Sequence, residues 1–234
     1  MTLIASMWSP EGFAIVADGL QILEGRSPVV TKTRHNAQKI FFTPFINQTG
    51  FAFGWAGATA FNLASGTHIS FVKITEQVME SLPDSAYLED AEAYFGRVAR
   101  NIFSDLPVGV DLRGQFDAEV MFVGYLRDNP LRVEITFSHT ETKFLPPTIK
   151  SLEHAPLPFK LLSGSKIIAA KMEEAGLIQQ PLNLSQATEM VRRYAQVCID
   201  SNQSIPDCAN LGGQVSLAHV TPQGCKWINP PFQG

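Results

Sequence analysis

The feature that most constrains this chain is a set of short segments that are apolar at nearly every position. Residues 3–8 and 13–17 are two such runs, and residues 38–42, 50–56 and 118–125 are similar. A strand with one face in water alternates polar and apolar side chains. A strand without that alternation belongs to a sheet covered on both sides. The turn-forming stretch Ser9-Pro10-Glu11-Gly12 separates the first two runs and makes them a tight hairpin.

Between these runs lie segments with helical spacing. Phe61, Ala64, Phe71, Val72, Val78 and Leu82 predict one helix over about 58–82, stopped by Pro83-Asp84-Ser85. Leu88, Ala91, Phe95, Val98 and Ile102 form the apolar stripe of a second. Strands are expected at 118–125 and 132–138 around Asp128-Asn129-Pro130, followed by a Pro-rich loop over 145–158. Another strand, 159–162, leads into Ser163-Gly164-Ser165. A helix from Lys166 to Gly176 comes next, then one marked by Ala187, Met190, Val191, Tyr194, Val197 and Cys198. A hairpin of 214–221 and 224–228 around Pro222-Gln223 closes the order. Strands grouped apart from helix pairs predict an α+β fold with two stacked sheets between helix layers, a four-layer αββα sandwich. The 234 residues suit a single domain, 1–234.

Composition excludes several functions. A net charge of −4 argues against nucleic-acid binding, and the apolar runs are too short for a membrane span. Residues 1–21 carry no signal-peptide pattern, so a cytoplasmic location is expected. Cys198, Cys208 and Cys225 are an odd count without metal-ligand spacing, and the five histidines form no HxH or HxxxH pair. No metal and no cofactor are therefore expected.

If the first hairpin turns at Pro10 and Glu11, Ser9 faces Gly12, Leu3 faces Asp18 and Thr2 faces Gly19. Facing residues lie roughly 5 Å apart, so the hairpin returns an acid to the vicinity of Thr2. The segments "VADG", "NAQKI", "WAGATAF", "SGS" and "LGGQVSLAHVTPQG" occur in that order across the chain. Their order and spacing resemble the proteasome β-subunit family of N-terminal nucleophile hydrolases. The early motifs are most similar to HslV; the length and the last hairpin are more similar to archaeal and eukaryotic proteasomes.

That resemblance implies the αββα fold and a set of roles. Thr2 matches the nucleophile once Met1 is removed, and its own α-amine, titrating near ~8 in model peptides, would be the base. Asp18 and Lys39 match the supporting acid and lysine. Gly57 matches the glycine whose N–H faces the oxyanion, and Ser163 a serine beside the α-amine. Trp55 and Gln21 match positions of the substrate pocket, implying a preference for small, uncharged side chains. Asp200 and Asp207 both stand where the family has a second acid.

The resemblance further implies homo-oligomeric rings that cut polypeptides, fed by a separate ATPase, since this chain has no phosphate-binding glycine motif. Three departures stand out. Gly19-Leu20-Gln21 follows the acid where the family often has Ser or Thr and then Arg. About five extra residues separate Asp18 from Lys39, a count set against the family's common pattern. The segment "SNQSIPDCANL" is longer than the family's. A small-molecule amidase on the same fold and a non-catalytic ring subunit are the alternative functions.

Overall fold

A computed structural model describes residues 2–24, 31–57, 59–62, 66, 68–81, 87–104, 118–138, 143–152 and 159–231. The chain opens with β1 (Ile4–Ser9) and β2 (Gly12–Ala17). Ser9 pairs with Gly12 and Ile4 with Ala17, the register that the Pro10-Glu11 turn predicts. A small hairpin of β3 (Gln21–Glu24) and β4 (Thr31–Arg34) follows. Next come β5 (Ile40–Phe42), β6 (Gly50–Gly57), β7 (Ala60–Asn62) and β8 (His68–Ser70). Helices α1 (Phe71–Glu80) and α2 (Ala91–Ser104) precede β9 (Ala118–Leu126), β10 (Asn129–Ser138), β11 (Lys143–Phe144) and β12 (Thr148–Ser151). The last elements are β13 (Phe159–Ser163), α3 (Lys166–Glu174), α4 (Leu184–Asp200), β14 (Ser216–Thr221) and β15 (Gly224–Asn229).

Two antiparallel sheets carry the architecture. One has the order β13-β1-β2-β14-β15. The other has the order β11-β10-β9-β6-β5, with β12 also paired to β10. Side chains alternate across each sheet, so each strand feeds two apolar layers. Leu3, Ala5 and Met7 pack with Val191, Tyr194 and Ala195 of α4. Ile4 faces the other way, into the layer between the sheets with Ile15, Ala52, Met121 and Val123. Phe51, Phe53 and Trp55 of β6 turn outward to meet Phe71 of α1 and Phe95 and Val98 of α2. Helices on each outer face and two sheets within make the expected α+β, four-layer αββα sandwich.

Several local expectations need correction. Helix α1 starts at Phe71, not near residue 58, because β6 runs on to Gly57 and the paired strands β7 and β8 take up Ala60–Asn62 and His68–Ser70. The Ser70 hydroxyl caps the helix by accepting from the Lys73 N–H at 3.4 Å. Ala64, Leu82 and Pro83-Asp84-Ser85 lie outside the described residues. Leu88 sits in a 3-10 turn and is exposed, while Ala91, Phe95, Val98 and Ile102 form the buried stripe of α2. The β9–β10 turn falls one residue earlier than predicted. Arg127 and Asp128 both take positive φ, the pattern of a type I′ turn, and Pro130 lies within β10 opposite Tyr125. The Pro-rich loop contains β12, and β3–β4 has no counterpart in the sequence reading.

Candidate active site

The hairpin register carries the site. Leu3 and Asp18 come level beyond the last β1–β2 pair: the Asp18 N–H donates to the Leu3 carbonyl at 3.3 Å, and the Leu3 N–H donates to Asp18 Oδ1 at 2.8 Å. Asp18 is fully buried. Its Oδ1 also accepts from Lys39 Nζ at 2.6 Å, and its Oδ2 accepts from the N–H groups of Leu20 and Gly212, each at 3.3 Å. Four donors on one carboxylate offset the cost of removing it from water.

Lys39 reaches this acid from the residue before β5 and is itself buried. Burial lowers its pKa below the ordinary lysine value, while the attraction and hydrogen bond of Asp18 oppose that shift. The pair is thus a cation held inside the protein by one specific partner.

The glycine pair of the last loop buttresses Asp18. Gly19 and Leu20 donate their N–H groups to the Gly212 carbonyl at 3.1 and 2.8 Å, and Gln214 donates to the His35 carbonyl at 2.7 Å. Gly213 has φ +73°, and a Cβ there would stand 2.4 Å from the His35 carbonyl oxygen. Only glycine fits this packing without a shift. Segments near residues 19, 36 and 213 are in this way tied around the acid.

Thr2 lies half-buried just ahead of Leu3 and lines a cleft of about 460 Å³ with Ala56, Gly57, Ala118, Glu119, Leu162 and Ser163. Each arrives by register. Ser163 ends β13 and pairs with Ile4. Ala56 and Gly57 end β6 opposite Glu119 and Ala118. Gly57 is exposed and has φ +79°, a conformation that side chains disfavour, so its backbone is open to the cleft. The Ser163-Gly164-Ser165 stretch then starts α3, with the Ser165 hydroxyl accepting from the Ile168 N–H at 3.2 Å.

Of the residues singled out from sequence, Thr2, Gly57 and Ser163 share the cleft, and Asp18 and Lys39 form an ion pair whose acid accepts from the N–H of Leu3, the residue after Thr2. Trp55 and Gln21 are not among the described residues that line this cleft. Trp55 is 1% exposed on the helix side of β6, stacked on Phe71 at 5.4 Å, with its Nε1–H donating to the Thr75 hydroxyl at 3.2 Å. Gln21 begins β3 opposite Arg34 and is not among the cleft's lining residues. Asp200 is exposed at the end of α4, bonded to Gln196 at 2.8 Å, and Asp207 sits in the 3-10 turn Pro206–Cys208. Neither lines the cleft. Glu119 was not anticipated. Its signal is an acid in the apolar run AEVMFVGYL of β9.

Among the described residues no cluster of three or more His, Cys, Asp or Glu could hold a metal ion, and no helix is long and apolar enough to cross a membrane. No family model and no curated protein matches the chain. Solved structures do. A Gly-1 mutant of Anbu from Hyphomicrobium sp. strain MC1 is 14% identical over 98% of this chain and 87% of its own, with a TM-score of 0.61. Anbu from Yersinia bercovieri, described as an ancestral beta-subunit, is 13% identical over 97% and 87%, also with a TM-score of 0.61. At such identities the likeness speaks for the fold. The likeness is to Anbu and does not single out HslV.

Proposed function

We propose that this chain is a threonine-type peptidase subunit of a ring-forming, proteasome-like assembly. The observation that supports this most is the position of Thr2. It precedes Leu3, whose N–H donates to Asp18 of the buried Asp18–Lys39 pair, and it lines a cleft with Gly57 and Ser163.

Once Met1 is removed, the Thr2 hydroxyl attacks a peptide carbonyl and its own α-amine takes the proton. The Lys39 ammonium stabilises the oxygen that loses this proton, and Asp18 holds the ammonium in place. The Gly57 N–H donates to the oxyanion of the tetrahedral intermediate. The α-amine returns the proton to the departing amine, leaving an ester on Thr2. Water, deprotonated by the same amine, then adds to the ester carbonyl, and the amine returns that proton to the Thr2 oxygen as the acid departs. Ser163 gives the proton a hydrogen-bonding neighbour throughout. The subunits assemble into homo-oligomeric rings in the cytoplasm, and a separate ATPase supplies unfolded polypeptide.

The reading is tested with a panel of fluorogenic peptides on purified protein whose intact mass is known. Cleavage by a chain beginning at Thr2, lost in Thr2→Ala, is the expected result. Loss of Met1 without peptide cleavage would point instead to a small-molecule amidase. A chain with neither property would be a non-catalytic ring subunit.

A further inference from the structure

Resting on the role proposed for Ser163, we infer that Tyr194 is a positioning residue. Its hydroxyl holds the Ser163-Gly164-Ser165 corner and thereby sets where the Ser163 side chain stands in the cleft. The need for such a hold follows from β13. Its register against β1 slips between Ile4 and Ala5: Leu161 pairs with Ala5 and Ser163 with Ile4, so Leu162 is an extra residue. Successive side chains of a regular strand point to opposite faces, whereas Leu162 and Ser163 both line the cleft. A bulge of this kind re-aims a side chain and interrupts the ladder. The direction of Ser163 then depends on what fastens the chain just beyond it.

Tyr194 fastens it from α4. It lies on the buried stripe of that helix with Ala187, Val191, Ala195 and Cys198, and none of its surface is exposed. Its hydroxyl donates to the Ser165 carbonyl at 3.1 Å. A Cβ at Gly164 would stand 2.7 Å from Tyr194 Oη and 3.5 Å from Leu3 Cγ, so the corner is seated between the phenol and the residue after Thr2. The ring also meets Phe159, the first residue of β13, edge-on with centroids 5.3 Å apart. One side chain thus grips β13 at its start and just past its end. Burial raises the pKa of the phenol, so the hydroxyl remains a donor at neutral pH. A phenylalanine here would keep the apolar contacts and remove the tie.

The test is Tyr194→Phe. The Ser165 carbonyl also accepts from the Ala169 N–H at 3.1 Å, so the variant leaves no orphaned acceptor there and should fold. Its kcat should fall by about 10–10²-fold, the scale of a small misplacement of reacting groups, with KM little changed. Ser163→Ala should lower kcat as well. Adding Tyr194→Phe to Ser163→Ala should lower it no further, because the hydroxyl acts through Ser163. Amide hydrogen exchange of the purified protein, read by mass spectrometry, should rise in Tyr194→Phe at residues 163–165 and not along α4. Equal losses of kcat from Tyr194→Phe in both backgrounds, or exchange that rises alike in α4 and the corner, would make Tyr194 a core residue only and overturn the inference. Normal turnover in Tyr194→Phe or in Ser163→Ala would overturn it too. If the wild type cleaves no peptide, the proposed function fails on its own, and the exchange comparison decides the role of Tyr194. A rise confined to residues 163–165 then supports the hold, and an unchanged corner contradicts it.

Discussion

A lysine that is 8% exposed, with its ammonium 2.6 Å from a fully buried carboxylate, is an unusual use of lysine. Desolvation and attraction pull its pKa in opposite directions, and desolvation prevails. Lys39 Nζ should thus titrate below 10.5 in NMR spectra of the folded protein, and lower still in Asp18→Asn, where the opposing attraction is gone. A value at or above 10.5 would contradict the balance described. The linked stability has a definite sign. Between the folded and unfolded pKa values the unfolded chain holds more protons, so the contribution of Lys39 to stability rises with pH across that window. In the proposed chemistry this cation faces a developing alkoxide, and Lys39→Ala should cut kcat by ~10²–10³. Near-normal turnover in that variant would make the pair structural only.

At the scale of elements, strand register decides which side chains face the cleft and which face a core. Trp55 and Gly57 are two residues apart on β6, yet the indole is stacked under α1 while the glycine opens to the cleft. Trp55→Ala should therefore cost about 3–5 kcal/mol of stability, as large deletions in packed cores do, without admitting larger substrate side chains. Chemical denaturation and the peptide panel check both halves. Gly213→Ala should cost about 1–3 kcal/mol, because the new Cβ meets the His35 carbonyl and φ is positive. An unchanged denaturation midpoint would show that the loop around Asp18 can shift freely. The same elements show what could be read beforehand. Doubly apolar strands and one tight turn were enough for the layers and for the approach of Asp18 to Thr2. Helix α1 was misjudged because Phe61 fits a helical period by chance. The β7–β8 hairpin depends on pairing between short segments that carry no apolar pattern of their own. Glu119 and the misplacement of Trp55 depend on which face of a strand meets which layer, and residues apolar on both faces do not reveal that.

For the whole molecule, a nucleophile open to a surface cleft is safe in a cell only when enclosed, and the proposed ring provides the enclosure. Leu182 and Ile167, 76% and 46% exposed at the starts of α4 and α3, are apolar groups that an assembly would cover. Light scattering should give a large homo-oligomer; a uniform species of 25.7 kDa would contradict the ring. The central claim, that Thr2 is an N-terminal nucleophile, is tested most directly by pairing intact mass with peptide hydrolysis for the wild type and Thr2→Ala. The account predicts an active wild-type chain lacking Met1 and a folded, inactive Thr2→Ala. Full activity in Thr2→Ala, or in a wild-type chain that retains Met1, would contradict it.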